Sequence, residues 1–190
     1  MKHQASRIMI VLAAAGALAI GCYAEEGDWS QETSGLHGDP DAYQGAGDGI
    51  EINNLNSPAF FPDGVTMQIK NRRGTGTEVI NLNQDASYTT TMEAIFGESE
   101  VTDWHTHPGP IIMNVVSGDF VYMADDCVKH TYTAGEALID GGNIPHTAWN
   151  PNDDEETVVV ATFLGAPKDG PLTEFLPEDE RDALNDECGL

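Results

Sequence analysis

"WHTHPGPIIMNVVSGDF", Trp104 to Phe120, is the stretch from which the fold can be read. Two histidines stand one residue apart, a Pro-Gly-Pro turn follows, and an apolar run then ends in Ser-Gly. In an extended strand residues i and i+2 share a face, so His105 and His107 project two imidazoles side by side. Imidazole is the commonest protein ligand for divalent transition metals, which makes this pair half of a candidate metal site. The same parity turns Trp104 to the opposite face, where it suits packing.

A third histidine, His146, lies in "GEALIDGGNIPHTAWN", Gly135 to Asn150. Together the two stretches (104–118 and 135–150) resemble the paired motifs of the cupin superfamily. In that family a His-x-His is followed by a Glu and then a Gly, and a second Gly-bounded segment runs through a Pro-x-Gly turn to a His and, four residues on, an Asn. His105, His107, Gly118, Gly135, His146 and Asn150 stand at those spacings. The match departs in two places. The Glu position falls on Ile111 or Ile112, and Gly141 and Asn143 stand where the Pro and the turn Gly belong, Asn being the residue that best tolerates a left-handed conformation after Gly.

The resemblance implies an all-β jelly-roll, or double-stranded β-helix, barrel that carries His146 across to face His105 and His107. It implies one divalent transition metal on these three histidines, iron first, with nickel, copper, manganese or zinc compatible, since imidazole suits most of them. Without the Glu, a bound ion keeps its full double charge and up to three open positions. Cupins with three histidines and no Glu include iron(II) dioxygenases of thiols and diketones. The implied function is a metal-dependent dioxygenase acting on a small chelating molecule; the alternative is a non-catalytic cupin holding a small ligand or metal at the cell envelope. Ile111, Met113, Tyr122 and Phe163 are candidates to line the cavity, although ordinary core packing accounts for each taken alone. His130 reads as a strand-surface histidine.

The chain around these motifs has 190 residues, of which 32 are acidic and 8 are Lys or Arg, for a formal charge of −24. Such a balance repels phosphate backbones and argues against nucleic-acid or anionic-membrane partners. Lys2 and Arg7 precede the apolar run Ile8–Ile20, a signal-peptide pattern short of a comfortable bilayer span. In "ALAIGCYAEE" small or apolar residues lead to Cys22 as in a bacterial lipobox, with Ala19 where Leu is usual; ordinary cleavage after Ala24 is the alternative. We therefore expect an exported protein, a periplasmic or outer-membrane lipoprotein or a secreted one, touching a membrane only through a lipid anchor. Residues 1–21 are read as the leader, 22–51 as an acidic Gly/Ser-rich tether that includes His37, and 52–190 as one domain, with a homodimer compatible.

Three cysteines are present, and maturation at or beyond Cys22 leaves Cys127 and Cys188, a disulfide candidate in an oxidising compartment. Small bacterial cupins whose motif also reads Trp-His-x-His-Pro-Gly-Pro carry cysteines at similar places, and that likeness implies the same pair.

Eight strands are expected, over 66–70, 77–82, 87–96, 111–116, 119–123, 128–133, 136–139 and 157–164, each rich in β-branched or aromatic residues and bounded by turn chemistry. A short helix is expected over 176–187, where Pro177 stands near the start. No Ser nucleophile with His and Asp partners and no glycine-rich phosphate loop is recognisable.

Overall fold

A computed structural model describes residues 49–72, 76–82, 88–167 and 170–190. The leader, Cys22, His37 and the tether as far as residue 48 lie outside the described residues. Thirteen strands and one helix follow in chain order. The strands are β1 (Ile50–Asn54), β2 (Ala59–Phe60), β3 (Met67–Asn71), β4 (Glu78–Leu82), β5 (Tyr88–Phe96), β6 (His105–Thr106), β7 (Ile111–Ser117), β8 (Asp119–Ala124), β9 (Lys129–Thr133), β10 (Ala137–Asp140), β11 (His146–Trp149), β12 (Thr157–Ala166) and β13 (Glu174–Phe175), and the helix is α1 (Glu178–Cys188).

All pairings are antiparallel, in two main sheets and a hairpin. One sheet runs β1-β5-β12-β7-β10 with β2 beside β5; the other runs β13-β6-β11-β8-β9; β3 and β4 form the hairpin. This is the all-β jelly-roll barrel that the cupin resemblance implies. Period-2 patterning builds its core. In β12, Thr157, Val159, Ala161 and Phe163 are buried while the residues between them are half-buried. Ile111, Met113 and Val115 of β7 do the same, and Met92 and Phe96 of β5 meet Phe120 and Tyr122 of β8 in one cluster. Gly118, at φ 73, makes the corner by which the chain leaves β7 in one sheet for β8 in the other.

Three differences from the sequence expectation stand out. The first strand takes in Ile50 and Glu51, which the sequence reading gives to the tether. Strands β6 and β11, which carry two of the three histidines, are too short to stand out from turn-rich surroundings. In the turn before His146 the left-handed residue is Gly142, at φ 87, and not Asn143.

Helix α1 begins beside Pro177, has Glu178, Asp179 and Glu180 in its first turn, and ends on Gly189 at φ 69. Acidic residues at the start complement the helix dipole. None of its residues is buried, so side-chain links hold it to the barrel. The Trp104 indole N–H donates to Asn185 Oδ1 at 2.8 Å, Arg181 pairs with Asp103, and Cys188 is bonded to Cys127 with Cα atoms 5.0 Å apart. Closing 61 residues of chain removes roughly 4 kcal/mol of unfolded-state entropy in the loop-closure model. Reduction should therefore lower the denaturant midpoint, with a mass gain of about two hydrogens on release of the bond. Two alkylatable thiols in the oxidised native protein would count against the bridge.

Candidate metal centre

Two short strands, β6 with the residue after it and β11, bring the three histidines together. His105 of β6 pairs with His146 of β11 across one ladder, so two ligands come from directly opposed positions. His107 follows β6 and is placed by its amide, which donates to the Gly142 carbonyl at 2.6 Å. The ring centroids lie 4.8 Å (His105–His107), 4.3 Å (His105–His146) and 5.0 Å (His107–His146) apart, and one ligand nitrogen from each ring lies within 4.8 Å of the others. All three residues are buried.

The outer ring nitrogens are all engaged by the backbone. His105 Nδ1 meets the Asp103 carbonyl at 2.7 Å, His107 Nδ1 the Leu172 carbonyl at 2.6 Å and His146 Nδ1 the Ile144 carbonyl at 3.0 Å. A carbonyl only accepts, so each Nδ1 carries the proton and each neutral ring turns the Nε2 lone pair inward. Fixing the tautomer from outside in this way is a hallmark of metal-ligating histidine. Burial is the largest cause holding His105 well below its ordinary pKa, with His146 and His107 adding to it against the hydrogen bond to Asp103. His107 is pushed down to about 4, again by burial first and His146 second, against Asp140 and the Leu172 bond, which raise it. The donor set thus fits a divalent transition ion: three preoriented nitrogens with their lone pairs turned inward, two of them, on His105 and His107, resisting protonation.

A pH dependence follows for protein stripped of metal. The unfolded histidines titrate near 6.5, whereas His107 in the fold is pushed down to about 4. Between pH 6.5 and 4 the unfolded chain binds more protons than the folded one, so stability falls as pH drops through that window and gains nothing from these groups above it. Urea midpoints at pH 7.5, 5.5 and 4.5 should decline in that order. The decline should be shallower with His105 and His107 both changed to Gln; an equal decline would assign it to other groups.

Ile111, Met113 and Phe163 line the cavity beside the histidines, together with Met92, Phe120 and Phe175. Tyr122 does not line it. Its ring stacks on His146 with centroids 5.1 Å apart, and its hydroxyl donates to Asp140 Oδ1 at 3.0 Å. His130 sits in β9 opposite Tyr122 and is not in the histidine cluster. The sequence reading missed Asp140, a fully buried carboxylate whose Oδ2 is 3.5 Å from His146 Nε2 and 3.9 Å from His107 Nε2. It also missed the C-terminal segment, in which Leu172 orients His107, β13 pairs with β6, and Phe175 packs on the His105 ring at 5.7 Å.

No family model and no curated protein matches the chain. Among solved structures, a cupin-like protein from Thermotoga maritima is 25% identical, with 50% of this chain and 72% of that one covered at a TM-score of 0.42. KdgF from a Halomonas species is 18% identical, with 63% and 81% covered at 0.41, and the polyketide cyclase RemF from Streptomyces resistomycificus is 18% identical, with 50% and 66% covered at 0.41.

Proposed function

We propose that this cupin binds one divalent transition metal on His105, His107 and His146, iron first among the candidates, and acts as an exported dioxygenase on a small, largely apolar molecule with a chelating head group. The observation that carries the reading is the meeting of three inward-facing Nε2 atoms with an apolar cavity of about 90 Å³. Apart from the histidines, the polar side chains on its wall are Thr102 and Thr173. The Thr102 hydroxyl already bonds the β11 backbone at Ala148. Such a wall offers a ligand burial but no counter-charge, so the head group must find its anchor at the ion. Iron(II), when bound, would supply the redox chemistry and the Lewis acidity. The chain's own part is to fix the three rings through Asp103, Leu172 and Ile144, to hold His105 and His107 neutral by burial, and to exclude water with Phe163, Phe175 and Met92. The Cys127–Cys188 bridge and the leader pattern support an oxidising destination.

The same wall favours one second reading. Among the described residues no carboxylate, ammonium or guanidinium lines the cavity, which suits a cupin that binds a small ligand without transforming it. Oxygen uptake by iron(II)-loaded protein, screened against diketones, thiols and catechols, separates the two. Consumption with a member of the panel supports the enzyme. Saturable catecholate binding without consumption supports the binder, and protein that takes up no metal overturns both.

A further inference from the structure

We infer that Asp140 is a fourth protein ligand to the metal, the motif carboxylate having moved across one strand ladder from position 111 to position 140. This rests on the three-histidine reading above and deepens it.

Register is the first support. In the β7–β10 ladder Asp140 is the direct partner of Ile111, and Ile139 is the partner of Ile112. Directly opposed residues of antiparallel strands put their side chains on the same face. Ile111 is buried and lines the cavity, so position 111 is the inward one of the two at which the motif Glu was expected. Asp140 stands next to it on that face and brings the carboxylate that Ile111 lacks.

The second support is the hydrogen bonding of the carboxylate. Oδ1 accepts from the Tyr122 hydroxyl at 3.0 Å and from the Gly142 amide at 3.1 Å, which fixes the plane of the group. Oδ2 is buried and has no hydrogen-bond partner among the described residues. A buried carboxylate oxygen left so is costly unless a cation faces it. Its neighbours are the Nε2 atoms of His146 and His107, at 3.5 and 3.9 Å. With Nδ1 protonated on each ring, these nitrogens present lone pairs, and lone pairs repel an anionic oxygen. Two atoms each about 2.1 Å from one ion lie roughly 3.0 Å apart as octahedral neighbours and roughly 3.4 Å as tetrahedral ones, inside the 3.5 and 3.9 Å to His146 and His107 by at most just under one ångström. A cation between Oδ2 and the Nε2 atoms of His146 and His107 would satisfy these atoms at once.

The site then carries a charge of plus one instead of plus two, and an octahedral ion keeps two open positions, enough for one bidentate ligand. The oxygen donor also favours manganese and iron over copper, by the preference of carboxylate for harder ions.

Asp140→Asn tests this, because the amide keeps the size of the group and an oxygen for Tyr122 and Gly142. Apoprotein of wild type and variant is titrated with manganese(II), with free ion read by electron paramagnetic resonance, and loaded with cobalt(II) for its visible spectrum. The variant is expected to bind manganese about 100-fold more weakly, at the upper end of what removal of a supporting group costs. Its cobalt bands should also gain intensity, as the loss of one ligand lowers the coordination number, a change that reorientation of the ligands alone does not produce. Adding Ile111→Glu to Asp140→Asn should recover manganese affinity by returning the carboxylate to the neighbouring strand. If Asp140→Asn does not fold, Tyr122→Phe frees one of the two bonds on Oδ1 and should weaken manganese about tenfold. Unchanged affinity and an unchanged cobalt spectrum in the folded Asn variant, with wild type binding one equivalent, overturn the assignment of Asp140 and leave the histidine site standing. Wild type that takes up neither ion overturns the histidine site itself.

Discussion

Replacing His107 with alanine is expected to strip the protein of metal while leaving the barrel folded. Structural zinc sites with four ligands are worth about 10–16 kcal/mol, or roughly 3 kcal/mol per ligand, so losing one imidazole weakens binding about 100-fold or more. His107 supplies one of three Nε2 atoms and is not a member of the main apolar cluster, built from β5, β7, β8, β10, β11 and β12, which it meets through an edge contact with Phe163 at 5.5 Å. The folding cost is confined to the small void left and to the Leu172 carbonyl, which loses the proton it accepts, on the order of 2 kcal/mol. Elemental analysis of protein purified without a metal-affinity column should fall from about one equivalent, the content a single three-nitrogen site holds, to a trace. A full equivalent retained with both His105 and His107 changed to Ala would show that the ion sits elsewhere.

Gly142→Ala should damage both fold and site. At φ 87 a methyl group meets the strain of the left-handed region, about 1 kcal/mol or more, and it also runs into the Gly109 carbonyl and lies 3.0 Å from the His107 carbonyl. Those are backbone atoms, so the 107–109 or the 141–143 segment must move. Either shift disturbs the His107 amide bond to Gly142 and the Gly142 amide bond to Asp140. A loss of about 3 kcal/mol with weakened metal binding is expected, in the range of substitutions that combine strain with a broken hydrogen-bond network. Gly135→Ala is the control. It has a similar φ of 89 but open space within 4 Å, so it should cost only about 1 kcal/mol and leave metal affinity as it was. Equal losses in the two variants would mean that the contact with Gly109 and His107 does not matter.

The histidines were legible because their spacing is tied to strand parity and to bounding glycines, signals that survive without neighbours. Long alternating runs such as 157–164 were legible for the same reason. Asp140 was not, because in "IDGGN" an aspartate before two glycines reads as turn chemistry, and only the pairing of β10 with β7 shows that it faces inward. Strands β6, β11 and β13 have two to four residues, too few for a period to show. Glycine and asparagine are adjacent at 142 and 143, and composition cannot say which takes the positive φ; the close approach of the Gly109 and His107 carbonyls decides for the residue without a Cβ. The role of Leu172 was invisible for a deeper reason, since it acts through a backbone carbonyl that every residue possesses.

That carbonyl bears on the order in which the site comes into being. Translation delivers His105, His107 and His146 first and the acceptor for His107 only 65 residues after it, with Phe175 and Cys188 later still. At about 5–20 residues per second the ligands wait some seconds without the partner that fixes one of their tautomers. A nascent chain therefore offers loose imidazoles, and the preoriented trio belongs to the finished polypeptide alone. An ion that needs the fixed trio would therefore be selected only once the last twenty residues have docked and Cys127 has met Cys188.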